Sequence, residues 1–166
     1  MRHAIEQIYG ERRQGLFTLA LAITRCPARA EDAVQEAFAR LWKSPARPGG
    51  DLVPYVFAAV RNAAVDQVRR QDAAATGEPA SIYNGLPPDP SSEAISAEEH
   101  RLVREAVDAL PAHEREAVVM RIYGGLAFEE MAQALGEPLQ TVASRYRRAL
   151  EKLGERIKGL AGPSHE

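Results

Sequence analysis

The stretch from Gln71 to Ser96 most constrains how this chain of 166 residues folds. It reads QDAAATGEPASIYNGLPPDPSSEAIS, in which Pro, Gly, Ser, Ala and acidic residues dominate and no apolar period appears. Such a composition is typical of a linker rather than of a packed element. We therefore predict a domain at 1–71, a flexible acidic linker at 72–95, a second domain at 96–160 and a tail at 161–166.

The net charge of −2 hides an uneven distribution along the chain. Residues 1–70 carry eleven Lys or Arg against seven Asp or Glu, whereas residues 71–100 carry six acidic residues and no Lys or Arg. Residues 139–160 carry six basic residues against two acidic ones. Two basic regions that flank an acidic middle favour nucleic-acid binding at two separate sites.

The sequence disfavours several classes of protein. It has no run of about 18 apolar residues that could span a membrane, and no basic-then-apolar leader. The single cysteine, Cys26, excludes an internal disulfide, and we predict no metal site and no cofactor. HEREA from His113 lacks the second histidine of HExxH, and no catalytic residue set appears. We expect a non-enzymatic, cytoplasmic protein without membrane insertion.

The apolar spacing outside the linker is helical, and no convincing strand pattern occurs. We therefore predict an all-α fold of two small helical bundles. Asp51 is a predicted N-cap, and Ser96 and Glu99 have capping-box spacing. The predicted helices cover about residues 3–24, 30–43, 51–71, 96–110, 111–123, 128–135 and 138 onward.

The stretch LGEPLQTVASRYRRA, Leu135–Ala149, predicts a helix-turn-helix. Gly136 suits a left-handed helix end, and Pro138 suits the start of the next helix. The second helix of such a motif enters the major groove and contacts base edges. An ordinary helical hairpin with a solvated basic face fits the same pattern. The predicted inward stripe is Leu139, Val142, Tyr146, Ala149, Leu150 and Leu153. The residues left largely outside are Gln140, Thr141, Ala143, Ser144, Arg145, Arg147 and Arg148.

Two further polar clusters lie in the first domain. AEDAVQEAFARLW turns Asp32, Gln35, Glu36, Arg40 and Lys43 onto one exposed helix face, which is also what any solvated helix presents. VRNAAVDQVRR repeats Asn62, Asp66 and Arg70 at four-residue steps, with Arg61 and Arg69 adjacent. This row is either a set of surface ion pairs, which stabilise little, or a strip that faces nucleic acid.

These two motifs, together with LPAHEREAVVMRIYGGLAFEEMAQALGEPLQTVASRYRRALEKL, resemble a bacterial sigma factor of the extracytoplasmic-function (group 4) class of the sigma-70 family. The first two resemble region 2 and the last resembles region 4, over about residues 5–71 and 96–157. The resemblance implies a protein that binds core RNA polymerase and directs transcription initiation through the −10 and −35 promoter elements. It also implies an anti-sigma factor partner. The alternative is a stand-alone helix-turn-helix regulator of transcription.

The resemblance assigns roles to three groups of residues. The docking group, for core polymerase, is Asp32, Gln35, Glu36, Arg40 and Leu41. The −10 group is Arg61, Asn62, Arg69 and Arg70, preceded by a loop at 44–51 that resembles the segment capturing a flipped base. The −35 group is Gln140, Thr141, Ser144, Arg145, Arg147 and Arg148. Ala143 and Ala127 depart from the family pattern, which usually has a basic residue and a capping Ser there.

Overall fold

The computed structural model describes residues 1–44, 49–72 and 97–160, and within those ranges it contains seven helices and no strand. The all-α prediction is therefore confirmed. The helices are α1 Arg2–Thr24, α2 Pro27–Lys43, α3 Leu52–Asp72, α4 Ala97–Asp108, α5 Ala112–Ile122, α6 Phe128–Leu135 and α7 Leu139–Leu160.

The junction between α1 and α2 differs from the prediction by three residues. We expected Pro27 to end the first helix and the second to begin near Ala30, but α2 begins at Pro27 itself. Proline is well tolerated at the first helical position, because the amide it lacks has no partner within the helix there. Arg25, in the left-handed conformation, ends α1 by donating its N–H to the Leu21 carbonyl at 2.8 Å.

The start of α3 is the predicted one. The Asp51 carboxylate accepts a hydrogen bond from the Val53 amide at 3.1 Å, as an N-cap does. The helix continues to Asp72, one residue beyond the predicted domain boundary. The rest of the predicted linker and the capping residue Ser96 lie outside the described residues, so the linker's flexibility and the capping box stay predictions.

The first three helices pack against one another around large apolar side chains. Phe38 and Phe57 are fully buried there, and the Tyr9 ring meets Phe38 edge-on with centroids 4.9 Å apart. In the second half, α7 packs against α4, α5 and α6. Its core contains Met120 and Met131, both with no exposed surface.

The two bundles also contact each other in this conformation. Helix α1 packs on α5, and α3 packs on α6, so that the buried side chains form one continuous cluster. A bundle of about 70 residues buries a small core by itself, and sharing a surface enlarges it. Among the described helices, none combines the length and apolarity needed to cross a bilayer.

Candidate functional site

The turn between α6 and α7 has the geometry that the sequence predicts. Gly136 has φ 65°, and its amide donates to the carbonyl of Ala132. The Glu137 amide also donates to Ala132, at 3.2 Å, so one carbonyl accepts from two successive amides. A left-handed residue is needed for this ending, and glycine adopts it without steric cost. The chain therefore turns within the three residues 136–138, and α7 packs against α6.

The apolar seam of α7 is narrower than predicted. Val142 and Ala149 are completely buried and Leu153 nearly so, whereas Leu139 and Leu150 are each 43% exposed. At about 100° per residue, these two leucines lie at the edge of the seam rather than at its centre. The prediction that they face inward was wrong. Tyr146 is half-buried and meets the Phe128 ring edge-on at 5.4 Å, which fixes α7 on α6.

The −35 group lies largely on the face of α7 opposite this seam. Gln140, Arg147 and Arg148 are exposed, and Thr141, Ser144 and Arg145 are half-buried. Arg145 donates to Glu137 at 3.2 Å, which fixes its side chain against the turn. Within the described part of the chain, Arg147 and Arg148 form no ion pair. The surface therefore presents two uncompensated guanidinium groups.

Two contacts that the sequence analysis missed support this motif. Arg121 at the end of α5 donates to the Leu126 carbonyl at 3.0 Å and lies over the Phe128 ring at 5.3 Å. The Ala127 amide donates to the Glu130 carboxylate at 2.7 Å, which is half of a capping box. Ala127 supplies no side-chain oxygen for the other half. The FEE triplet before the apolar run was the signal for this half box.

A network of charged side chains joins α2 to α3. Glu36 accepts hydrogen bonds from Arg40, one turn along α2, and from Arg70 on α3 at 3.2 Å. Arg40 also lies 3.9 Å from the carboxylate of Asp66. The structure thus brings Glu36 and Arg40 of the docking group beside Arg70 of the −10 group. The pairs are largely exposed, so they orient the side chains more than they stabilise the fold.

The other members of the docking group differ in how far their side chains are exposed to solvent. Asp32 and Gln35 are exposed on α2, whereas Leu41 is 5% exposed and belongs to the core. The predicted direct contact of Leu41 with polymerase is not available in this conformation. The reason is its position in the buried stripe of α2, with Val34, Ala37 and Phe38.

The −10 group divides in the same way. Asn62 and Arg69 are exposed on α3, but Arg61 is turned toward the second half of the chain. Its Nε donates to the Glu116 carboxylate at 2.8 Å, and the two side chains are 23% and 10% exposed. Arg61 therefore does not share an open surface with the other three residues.

Comparison with known families identifies the family to which the chain belongs. The family model for sigma-70 region 2 matches residues 8–74, and the model for sigma-70 region 4 matches residues 100–153. The chain belongs to the sigma-70 family. The two matches correspond to the bundle of α1, α2 and α3 and to the bundle that carries the helix-turn-helix.

The sigma factor is similar over most of its length to curated relatives described as "ECF RNA polymerase sigma factor SigK". It is 29% identical to that of Mycolicibacterium vanbaalenii over 160 residues, which cover 90% of this chain and 81% of the relative. It is 27% identical to that of Mycobacterium tuberculosis strain H37Rv, with 90% and 83% covered. The chain is therefore an extracytoplasmic-function sigma factor.

A solved structure shares the fold of this sigma factor. It is the sigma factor RpoE of Bartonella quintana in complex with the anti-sigma factor NepR. The TM-score is 0.71, the identity is 23%, and the match covers 92% of this chain and 95% of that chain. As an RNA polymerase sigma factor, the chain directs promoter-specific transcription initiation, and this function is favoured over that of a stand-alone regulator.

Proposed function

We propose that the exposed face of α2 docks on core RNA polymerase through Asp32, Gln35, Glu36 and Arg40. The support is that these side chains share one face and that a groove of about 580 Å³ between α1 and α2 borders Gln35. Tyr9, Phe17 and Val34 line the groove with apolar surface. A surface with an apolar centre and a polar rim suits a protein partner better than it suits DNA.

We further propose that exposed side chains of α3 recognise the −10 element. Exposed Asn62, Arg69 and Arg70 supply amide and guanidinium donors, which suit the bases and phosphates of a separated strand. Arg70 is held by Glu36 of the docking group. Polymerase binding at α2 and strand binding at α3 thus act on neighbouring, connected side chains.

Helix α7 recognises the −35 element in the duplex. The observation that carries this proposal is the exposure of Gln140, Arg147 and Arg148 directly after the left-handed turn at Gly136. Arginine forms bidentate hydrogen bonds with guanine, and glutamine pairs with adenine. Because Arg147 and Arg148 form no ion pair with any residue that the structure describes, we infer that both guanidinium groups are available to phosphate or base.

In this proposal the protein has no catalytic activity of its own, and its binding to the unpaired −10 strand favours the open duplex. It works in the bacterial cytoplasm, where RNA polymerase meets the chromosome. An anti-sigma factor is its expected regulator, since the RpoE structure of Bartonella quintana contains one.

Transcription of a genomic library by core polymerase with this protein tests the proposal. Mapped start sites should share one motif near −10 and a second near −35, both lost when the protein is omitted. Start sites without either motif would contradict the assignment of α3 and α7. A single operator motif bound equally well without polymerase would instead support the stand-alone regulator.

A further inference from the structure

Helix α7 exposes two leucines to the same extent, and they lie at different ends of the helix. Leu139 and Leu150 are each 43% exposed. Leu139 is the first residue of α7, and the Val142 amide donates to the Pro138 carbonyl at 3.1 Å to form the first turn. Side chains of a helix lean toward its N-terminus. Leu139 therefore projects at the end of α7 that follows the turn at Gly136, whereas Leu150 lies about three turns further along.

Ala143 continues the apolar surface that Leu139 begins. The two residues are four positions apart, so they lie one above the other on the same side of α7. Ala143 is half-buried. The rise between the two residues is about 6 Å along the helix axis, whereas successive base pairs of a duplex are about 3.4 Å apart. When the start of such a helix lies in the major groove, the two side chains therefore reach neighbouring base pairs.

The start of α7 carries no charged side chain. Residues 139–144 read LQTVAS, and the first charged residue, Arg145, is paired with Glu137 at 3.2 Å. The exposed Arg147 and Arg148, which form no ion pair within the described residues, lie about two turns after the helix start. A recognition helix contacts base edges with the residues near its N-terminus. In α7 that part offers apolar and amide groups rather than guanidinium groups.

These groups have the chemistry that A·T base pairs require. Guanine is contacted by Arg or Lys, whereas adenine pairs with Asn or Gln, and the C5-methyl group of thymine accepts apolar contacts. Gln140, which is exposed directly after Leu139, supplies the amide. Thymine is the only unmodified base that presents a methyl group in the major groove. Apolar contacts at the start of α7 would therefore distinguish thymine from the other three bases.

We propose that Leu139 and Ala143 contact the C5-methyl groups of thymines in the −35 element and, with Gln140, make the start of α7 specific for A·T pairs. The contact gives a function to the exposure of Leu139, which packing against α6 does not require. The inference rests on the proposed function, because it needs α7 to lie in the major groove of the −35 element. It adds to that function the class of base pair that the first turns of the helix select.

Uracil in place of thymine tests the proposal, because uracil pairs with adenine in the same way and lacks only the methyl group. The affinity of the holoenzyme is measured on one mapped promoter in which each thymine of the −35 element, on either strand, is replaced singly. We expect the wild-type protein to bind about fourfold more weakly for one or two neighbouring replacements, the factor that burial of one methyl group contributes. Unchanged affinity for every replacement overturns the proposal, as does a mapped −35 motif made only of G·C pairs.

Leu139→Ala and Leu150→Ala are a matched pair of variants, because each removes the same group from an equally exposed position of one helix. Circular dichroism checks that both variants keep the helical fold. We expect Leu139→Ala to lose the sensitivity to uracil at one position, since groups in contact give non-additive effects in a double-mutant cycle. Leu150→Ala should keep the full sensitivity. Equal sensitivity to uracil in both variants and in the wild-type protein would show that the methyl groups act through DNA shape, and it overturns the proposal.

A promoter without the −35 element distinguishes failure of this inference from failure of the proposed function. If its removal leaves the affinity of the holoenzyme unchanged, α7 does not recognise a −35 element, and the proposed function fails together with the inference. If the −35 element is required but uracil has no effect, the proposed function stands and only the inference is overturned.

Discussion

Helices α2 and α7 both bury an apolar stripe and present charged side chains outward. The two helices differ in whether those charged side chains form ion pairs. On α2, Glu36 and Arg40 are paired with each other and with residues of α3. On α7, Arg147 and Arg148 have no acidic partner within the described residues. Pairing orients a surface toward a protein partner, whereas an unpaired cation leaves its counter-charge to phosphate. We propose that this difference between α2 and α7 reflects the partner that each helix binds, which is polymerase for α2 and DNA for α7.

The largest expected effect concerns Leu41, which the resemblance placed in the docking group and the structure places in the core. Leu41→Ala should lower the free energy of unfolding by about 2–5 kcal/mol, because it leaves a cavity under α2. Denaturant unfolding of the full chain measures this loss. A loss of polymerase binding without any loss of stability would show that Leu41 is a contact residue. It would then be wrong to separate the buried apolar stripe of α2 from its exposed docking face.

The next effect concerns Arg148 on the exposed face of α7. If it pairs with a guanine, Arg148→Ala should cost about 1–3 kcal/mol of holoenzyme binding, concentrated on one base pair of the −35 element. If it contacts a phosphate, the loss should be uniform across promoters and the salt slope should fall by about one.

Titrations at several salt concentrations, on promoters with and without the −35 element, separate these two outcomes. Lys158→Ala, exposed in the last turn of the same helix, is the matched control and should change neither quantity. Equal effects of the two variants would mean that α7 carries only a general positive charge.

A smaller effect is expected at the docking face. Gln35→Ala with Glu36→Ala should weaken binding to core polymerase by at least about 1 kcal/mol, as removal of a contact residue does. Stability should fall by less than about 1 kcal/mol, since the pairs of Glu36 are largely exposed. Co-purification with core enzyme measures polymerase binding, and unfolding followed by circular dichroism measures stability. Retained co-purification at wild-type levels would remove α2 from the docking account.

The smallest effect is expected from adding a basic residue at Ala143, where the family usually has one. This half-buried position on α7 lies beside Ser144. Ala143→Arg should steepen the salt dependence of promoter binding by about one unit, because it adds one phosphate contact. Fluorescence titration of the holoenzyme at three salt concentrations is sensitive enough to detect this. No change in slope would place residue 143 away from the DNA.

The local features of the fold could be predicted from the sequence because short-range chemistry determines them. Gly136, the bounds of α6 and the Asp51 cap follow from residues within a few positions of one another. The edges of stripes could not be predicted as well. Leu139 and Leu150 have the right spacing for burial, but the width of the seam depends on what α6 and α4 cover.

Long-range ion pairs were beyond the sequence analysis. Arg61 and Glu116 are 55 positions apart, and each has several candidate partners closer in sequence. The sequence allowed two interpretations of the row of Asn62, Asp66 and Arg70, either a set of surface ion pairs or a strip that faces DNA. In the structure Arg70 pairs with Glu36 across the helices, and its link to Asp66 is to the backbone carbonyl at 3.3 Å. Only the packing of α2 on α3 determines this.

Footprinting of one mapped promoter tests the central claim most directly. The chain alone and the chain with core polymerase are compared on the same duplex at the same salt concentration. We expect no specific protection by the chain alone, and protection of both the −35 and −10 elements, about 25 base pairs apart, when polymerase is present. Protection of a single site to the same extent with and without polymerase would contradict the assignment of α2, α3 and α7 to polymerase, −10 and −35 binding.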